Sequence, residues 1–170
     1  MAYEPSQATK DALQTLLDAE QIMQALNFTE NDHEAIIQRQ MELALIPSPT
    51  FHEEKKAARF LEMFQAEGLE DCHIDEYGNC VGIRKGTGGG KTVLIEGHLD
   101  TVFPMETELK ITRENGVIHC PGIVDDNRGC AVLLSVIRAL NAAQIKTKGD
   151  IHFVGTVQEE GMEMCIRDSA

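Results

Sequence analysis

Two short apolar runs, at residues 92–96 and 151–157, bracket a strongly apolar stretch at residues 127–141. The runs have the length of buried strands, and the stretch between them carries apolar residues at helical spacing. Val132, Leu133, Val136, Ile137 and Leu140 form its expected inner face. Strand, helix and strand in that order predict an α/β layer with helices packed on a sheet. Val93, Leu94, Ile95, Ile151, Phe153 and Val157 are expected in neighbouring strands of the sheet core.

The remaining segments fit that layer. Residues 8–27 read as one helix, with Leu13, Leu16, Leu17, Ile22, Met23 and Leu26 near helical spacing. Asn31 followed by Glu34 has the pattern of a capping box, so a second helix is expected over about residues 32–45. Its apolar face is Ile36, Ile37, Met41 and Leu45, and Pro47 and Pro49 end it. A third helix is expected over residues 53–67, with Ala57, Phe60, Leu61 and Phe64 inward and Gly68 past its end. Residues 72–84 read as two extended pieces around Tyr77-Gly78-Asn79, and Glu114-Asn115-Gly116 as a hairpin turn. Lys85-Gly86-Thr87-Gly88-Gly89-Gly90 is a flexible polar turn that lacks the glycine spacing and Gly-Lys-Ser/Thr ending of a phosphate loop.

Charge narrows the partners. The 170 residues carry 15 Lys and Arg against 28 Asp and Glu, a formal charge of −13. Such an excess repels a phosphate backbone or an anionic membrane, so neither nucleic acid nor membrane is an expected partner. No apolar stretch approaches the ~20 residues a membrane span needs. Residues 1–10 show no basic start followed by an apolar run, and the 5 cysteines match no zinc knuckle. Free thiols in a reducing, cytoplasmic compartment are expected.

Three clusters sit at element ends. Gly97-His98-Leu99-Asp100 follows the first apolar run, and the two-residue spacing places His98 and Asp100 on one face of an extended chain. An aspartate there can hold the second ring nitrogen of a metal-ligating histidine. Asp125 and Asp126 stand just before the apolar helix. One aspartate suffices as a cap, and a second repels it unless a cation or donor compensates. Glu159 and Glu160 follow the second apolar run, at the sheet edge where α/β folds place ligands. One glutamate can bind a metal while the other serves as general base toward water. Each cluster alone also fits a plain role as a solvated strand end, a helix cap or an acidic turn. Together they supply His, Asp, Asp, Glu and Glu, a set that suits zinc, manganese or cobalt. No Gly-x-Ser-x-Gly elbow supports a serine nucleophile.

Three motifs carry a family resemblance: Glu96-Gly97-His98-Leu99-Asp100-Thr101-Val102, Pro121-Gly122-Ile123-Val124-Asp125-Asp126-Asn127-Arg128-Gly129 and Gln158-Glu159-Glu160-Gly161. With Ile46-Pro47-Ser48-Pro49-Thr50 and Glu53-Glu54 upstream, the chain resembles the N-terminal part of an M20-type metallopeptidase, on the tripeptide aminopeptidase-like branch. The resemblance implies a truncated three-layer α/β catalytic domain of the zinc-exopeptidase type, with helices packed on a mixed sheet. It implies that His98 ligates one metal and Glu160 a second, that Asp125 bridges the two Zn2+ ions (Mn2+ or Co2+ as alternatives), and that the Asp125–Asp126 peptide is cis. It further implies that Asp100 orients His98 and that Glu159 is the general base and acid. The implied substrate is a small peptide or an N-acyl amino acid, and the implied parent is a homodimer joined through a domain absent here.

Asn127 departs from the pattern, which usually has lysine there. The resemblance implies further ligands, which are expected beyond residue 170. Residues 1–163 are therefore expected to be an incomplete, inactive N-terminal part, and residues 164–170 a non-native tail. The rival reading is a non-catalytic acidic module that binds metal or a partner.

Overall fold

A computed structural model describes residues 4–161. Three helices come first: α1 (Gln7–Leu17), α2 (Glu20–Asn31) and α3 (His33–Ala44). Helix α4 (Glu54–Ala66) leads into strands β1 (Glu70–Ile74), β2 (Cys80–Arg84) and β3 (Val93–His98). A hairpin of β4 (Thr112–Glu114) and β5 (Val117–His119) precedes α5 (Asn127–Ala142) and β6 (Ile151–Thr156).

The main sheet has the order β1-β2-β6-β3. β1 and β2 are antiparallel, β2 and β6 are antiparallel, and β3 and β6 run parallel, so the sheet is mixed. Strand β3, helix α5 and strand β6 form the anticipated strand–helix–strand unit, with Ile95 directly beside Phe153. Helix α4 packs on β1 and β2, α5 packs on β3, and α2 and α3 pack on α5. This is an α/β fold with helices packed on a mixed sheet.

The core is built around Phe60, Phe64 and Phe153, none of which is exposed. The Phe60 and Phe64 rings are 4.5 Å apart, and Phe153 meets Phe64 edge-on at 6.5 Å. Glycine makes room for them on the sheet. A Cβ at Gly155 would stand 2.7 Å from the Phe60 ring, and one at Gly82 would stand 2.8 Å from Leu69. Arg138 of α5 clamps the helices from outside this core. Its guanidinium donates twice to Asp32 at 2.7 Å and once to Glu67 at 2.9 Å, and it lies over the Phe28 ring at 5.7 Å.

Several expectations change. The single helix over residues 8–27 is two helices, because Ala19 adopts an extended backbone (ψ 123°) between them. Hydrophobic periodicity does not register one extended residue; α1 buries none of its residues, and Leu13, Leu16 and Leu17 lie exposed. The Asn31–Glu34 capping box does not form. Asn31 ends α2, and the Glu34 carboxylate is taken by Arg113 of the hairpin, at 2.5 and 3.0 Å. In α3 Ile36 and Ile37 face inward as expected, joined by Gln40, Leu43 and Ala44, while Leu45 is exposed. In α5 Val132 faces outward, while Cys130 and Leu134 fill the core. Strand β3 has one neighbour among the described residues, which leaves Val93 49% exposed instead of buried.

The hairpin turns through Asn115 and Gly116 with φ of 52° and 79°, as its sequence requires. The expected tail at residues 164–170 lies outside the described residues. No helix among the described residues is long and apolar enough to cross a membrane. The four described cysteines, Cys72, Cys80, Cys120 and Cys130, are free thiols.

Replacing Phe60 by Ala should lower the unfolding free energy by ~3–5 kcal/mol, the cost of an unfilled aromatic site. Leu16→Ala, on the exposed face of α1, should stay within ~0.5 kcal/mol. Urea titrations of the two variants would separate these outcomes.

Candidate metal centre

The parallel register of β3 and β6 sets His98 beside Thr156, so both strands end at the same edge of the sheet. Open α/β sheets collect ligands at that edge. The N-terminus of α5 reaches it too, because Gly97 lets the Asp126 carboxylate come within 3.1 Å of where a Cβ would stand. Three chain segments separated in sequence thus deliver His98, Asp125 and the Glu159–Glu160 pair to one place.

The two adjacent aspartates divide their tasks. Asp126 caps α5: its Oδ1 accepts the Gly129 N–H at 2.9 Å, and its Oδ2 accepts the His98 N–H at 3.2 Å. Burial holds its carboxyl above the usual range. Asp125 instead projects outward, its side chain 77% exposed, and its Oδ1 stands 3.0 Å from His98 Nε2. The peptide joining the two is cis.

His98 is held from both sides. Its Nδ1 is 3.1 Å from the Asp100 carbonyl oxygen and 3.4 Å from Asp100 Oδ1. Its Nε2 faces Asp125, with Glu159 Oε2 at 3.8 Å. Burial works to depress the imidazole, but the Asp100 and Asp125 carboxylates override it and raise it to about 9.

Asp100 is fully buried and saturated with donors. Its Oδ2 accepts the Thr50 hydroxyl at 2.8 Å and the Glu160 N–H at 3.0 Å, and its Oδ1 accepts the Glu159 N–H at 3.1 Å. Burial alone would raise this carboxyl; the His98, Thr50 and backbone donors reverse that and hold it below its ordinary value. Glu160 is pushed the other way, first by desolvation and then by the facing Asp125 carboxylate.

His98, Asp125 and Glu160 each offer one ligand atom, and all these atoms lie within 4.8 Å of one another. Two donors on a common zinc ion, each at ~2.0–2.2 Å, stand at most about 4.4 Å apart. Tetrahedral zinc draws such donors to about 3.4 Å, so the three atoms stand near enough for one ion to gather them by side-chain rotation. Mutually repelling carboxylates with an imidazole are a donor set that a divalent cation satisfies. Glu159 stays beside this group on the same turn. A cavity of about 330 Å³, lined by Val102, Phe103, Ile123 and Val124, opens next to Asp125 and Glu160.

The sequence assigns no role to several residues that support the site, although Thr50 and Glu53 lie in segments that share the family resemblance. Thr50, Glu53 and Asn79 all hold this edge through hydrogen bonds that span long stretches of chain. Lys56 is another. Asn127, which stands where the resemblance expects lysine, donates through Nδ2 to the Gly122 carbonyl at 2.7 Å. Its Oδ1 accepts from the buried Lys56 ammonium of α4 at 3.2 Å. A cation thus reaches this position from another helix, and burial lowers it to about 8.

Residues 94–169 match peptidase family M20/M25/M40. A LysW-lysine hydrolase of Deinococcus radiodurans is 32% identical over 108 residues, covering 64% of this chain and 28% of that protein. Among solved structures, aminopeptidase PepT of Bacillus cereus is 28% identical with a TM-score of 0.65, covering 75% of this chain and 37% of that one. A tripeptidase of Staphylococcus aureus is 32% identical with a TM-score of 0.62, covering 74% and 36%. The chain spans about a third of the length of these proteins. Its sheet and helices have the architecture of their catalytic domains.

The raised His98 sets a pH dependence. A protonated His98 stabilises the metal-free fold fully below pH 6.5, and this contribution is lost as pH rises through about 9. Zinc must displace that proton, so zinc affinity should climb between pH 6.5 and about 9. NMR titration of the His98 ring should give a midpoint near 9 that falls in Asp125→Asn. A midpoint at or below 6.5 in the unsubstituted chain would contradict the geometry.

Proposed function

We propose that this chain is a member of the M20 peptidase family, in keeping with the match over residues 94–169, and that it carries part of the active centre of a metal-dependent hydrolase that cleaves peptide or N-acyl amino acid amide bonds. The observation that carries this reading is the convergence of His98, Asp125 and Glu160 donor atoms within 4.8 Å, with Glu159 on the adjoining position. A divalent ion of the zinc class, when bound there, supplies Lewis-acid polarisation of the amide carbonyl and of water.

The remaining work falls to side chains of this chain. His98, Asp125 and Glu160 hold the ion. Asp100 fixes the ring of His98 through Nδ1, which leaves Nε2 as the ligand atom. Glu159 is free of ligation, takes the proton from the attacking water and returns it to the leaving amine. The apolar cavity beside Asp125 seats part of a small substrate.

Residues 1–163 are, on this reading, the N-terminal part of a longer catalytic domain, in keeping with a span of about a third of its relatives. A second ion would be held by Asp125 together with ligands from the rest of that domain. The complete protein is a cytoplasmic homodimer joined through its other domain. Catalytic zinc sites usually have three protein ligands and an open position. The present chain supplies only three donors where two ions would need more, so without the rest of the site it binds metal weakly and does not turn over.

Calorimetric titration with zinc should therefore show one weak site that disappears in His98→Ala and in Glu160→Ala. A panel of di- and tripeptides with zinc, manganese or cobalt should give no hydrolysis above the Glu159→Ala background. Zinc uptake unaffected by either ligand substitution would refute the assignment of the site. Turnover abolished by Glu159→Ala would refute the inactivity of this chain.

A further inference from the structure

The turn bearing Glu159 and Glu160 is hung from side chains of other elements. The Val157 N–H donates to Asn79 Oδ1 at 3.0 Å, and the Gln158 N–H donates to Glu53 Oε1 at 3.1 Å. The next two N–H groups, of Glu159 and Glu160, go to the Asp100 carboxylate. Four consecutive amides thus end on side-chain oxygens from the β1–β2 turn, the start of α4 and the end of β3.

Gln158 is the pivot of this arrangement. Its φ of 65° lies in the left-handed region, which a residue with a side chain adopts only when its surroundings enforce it. The group that grips its amide is the Glu53 carboxylate, 5% exposed. Glu53 occupies the N-cap position of α4, yet its side chain makes no cap hydrogen bond. A carboxylate that could serve its own helix is directed across the edge of the sheet instead, to a partner 105 residues away. The buried Lys56 ammonium, one turn further along α4, supplies an opposite charge to it.

We propose that Glu53 is a positioning residue for Glu159 and Glu160. Its Oε1 fixes the Gln158 amide on one side of the turn while Asp100 fixes the amides that follow. The two grips together determine where the Glu159 and Glu160 carboxylates stand relative to His98. The proposal rests on the metal-site reading above. A displacement of about 1 Å in such a group can cost ~10²-fold in rate, and removing a group that orients a ligand costs ~10–100-fold in metal affinity.

Two substitutions in the full chain separate reach from charge. Glu53→Gln keeps an oxygen acceptor at the same length. Glu53→Asp keeps the charge but withdraws it by one methylene, ~1.5 Å. Aspartate is also a strong N-cap residue, so α4 loses nothing at its start. Zinc titration should show Glu53→Gln within about threefold of the unsubstituted chain. Glu53→Asp should bind zinc about tenfold or more weakly, with an unchanged or raised urea midpoint. Hydrogen exchange at the Gln158 amide should quicken in Glu53→Asp and not in Glu53→Gln.

Zinc binding by Glu53→Asp equal to the unsubstituted chain would overturn the proposal. So would a greater loss in Glu53→Gln than in Glu53→Asp, which would assign the effect to charge, and so would unfolding of Glu53→Asp, which would make the role structural. An unsubstituted chain that takes up no zinc would overturn the site reading itself, and this proposal with it.

Discussion

The buried carboxylate of Asp100 receives the Thr50 hydroxyl and the backbone N–H groups of Glu159 and Glu160, and it stands against the ring of His98. A carboxylate with no exposed surface is costly to ionise unless donors surround it. Here the donors come from the loop after α3, the end of β3 and the turn after β6. Those segments must therefore meet around one charge, and their meeting defines the candidate site. Neighbouring contacts support the same junction: the Ser48 hydroxyl donates to the Leu99 carbonyl at 2.8 Å, and the Thr101 N–H to the Ser48 carbonyl at 2.9 Å.

Placement of the site at the carboxyl ends of β3 and β6 follows from packing. Gly97 and Gly155 lie side by side in the parallel register. Their bare backbones admit the α5 N-terminus and Phe60, respectively. The positive end of the α5 dipole is thereby brought under Asp126, where a carboxylate is stabilised as a cap. Asp126 is consumed in that task, which leaves Asp125 turned outward to face His98 and Glu160. In a chain of net charge −13, those facing carboxylates concentrate a negative field that a divalent cation would neutralise.

The sequence made the strand–helix–strand unit and the hairpin legible because their signals are local. Apolar runs, Asn115-Gly116 and the residues after each strand can be read within a window of a few positions. The identities of His98, Asp125 and Glu160 were legible from the order of motifs and their family resemblance. The break between α1 and α2 was not, since it depends on the backbone of Ala19 alone. The Glu34 capping box failed because Arg113, 79 residues away, offers its carboxylate a bidentate partner. The scaffold of the site was hidden for the same reason. Asn79 reaches Val157 across 78 residues, and Lys56 reaches Asn127 across 71. No spacing rule links such pairs before the sheet brings them together. Which aspartate of the pair would cap α5 was likewise open until the helix start was fixed by geometry.

The claim that one buried carboxylate organises the metal centre has a direct measurement in the zinc dissociation constant of Asp100→Asn. The asparagine side chain has nearly the same shape but offers one oxygen in place of two, so the Glu159 and Glu160 amides can no longer both be held. The structure requires zinc binding to weaken by ~10–100-fold relative to the unsubstituted chain. An unchanged dissociation constant in a folded Asp100→Asn chain would show that the site does not depend on this carboxylate.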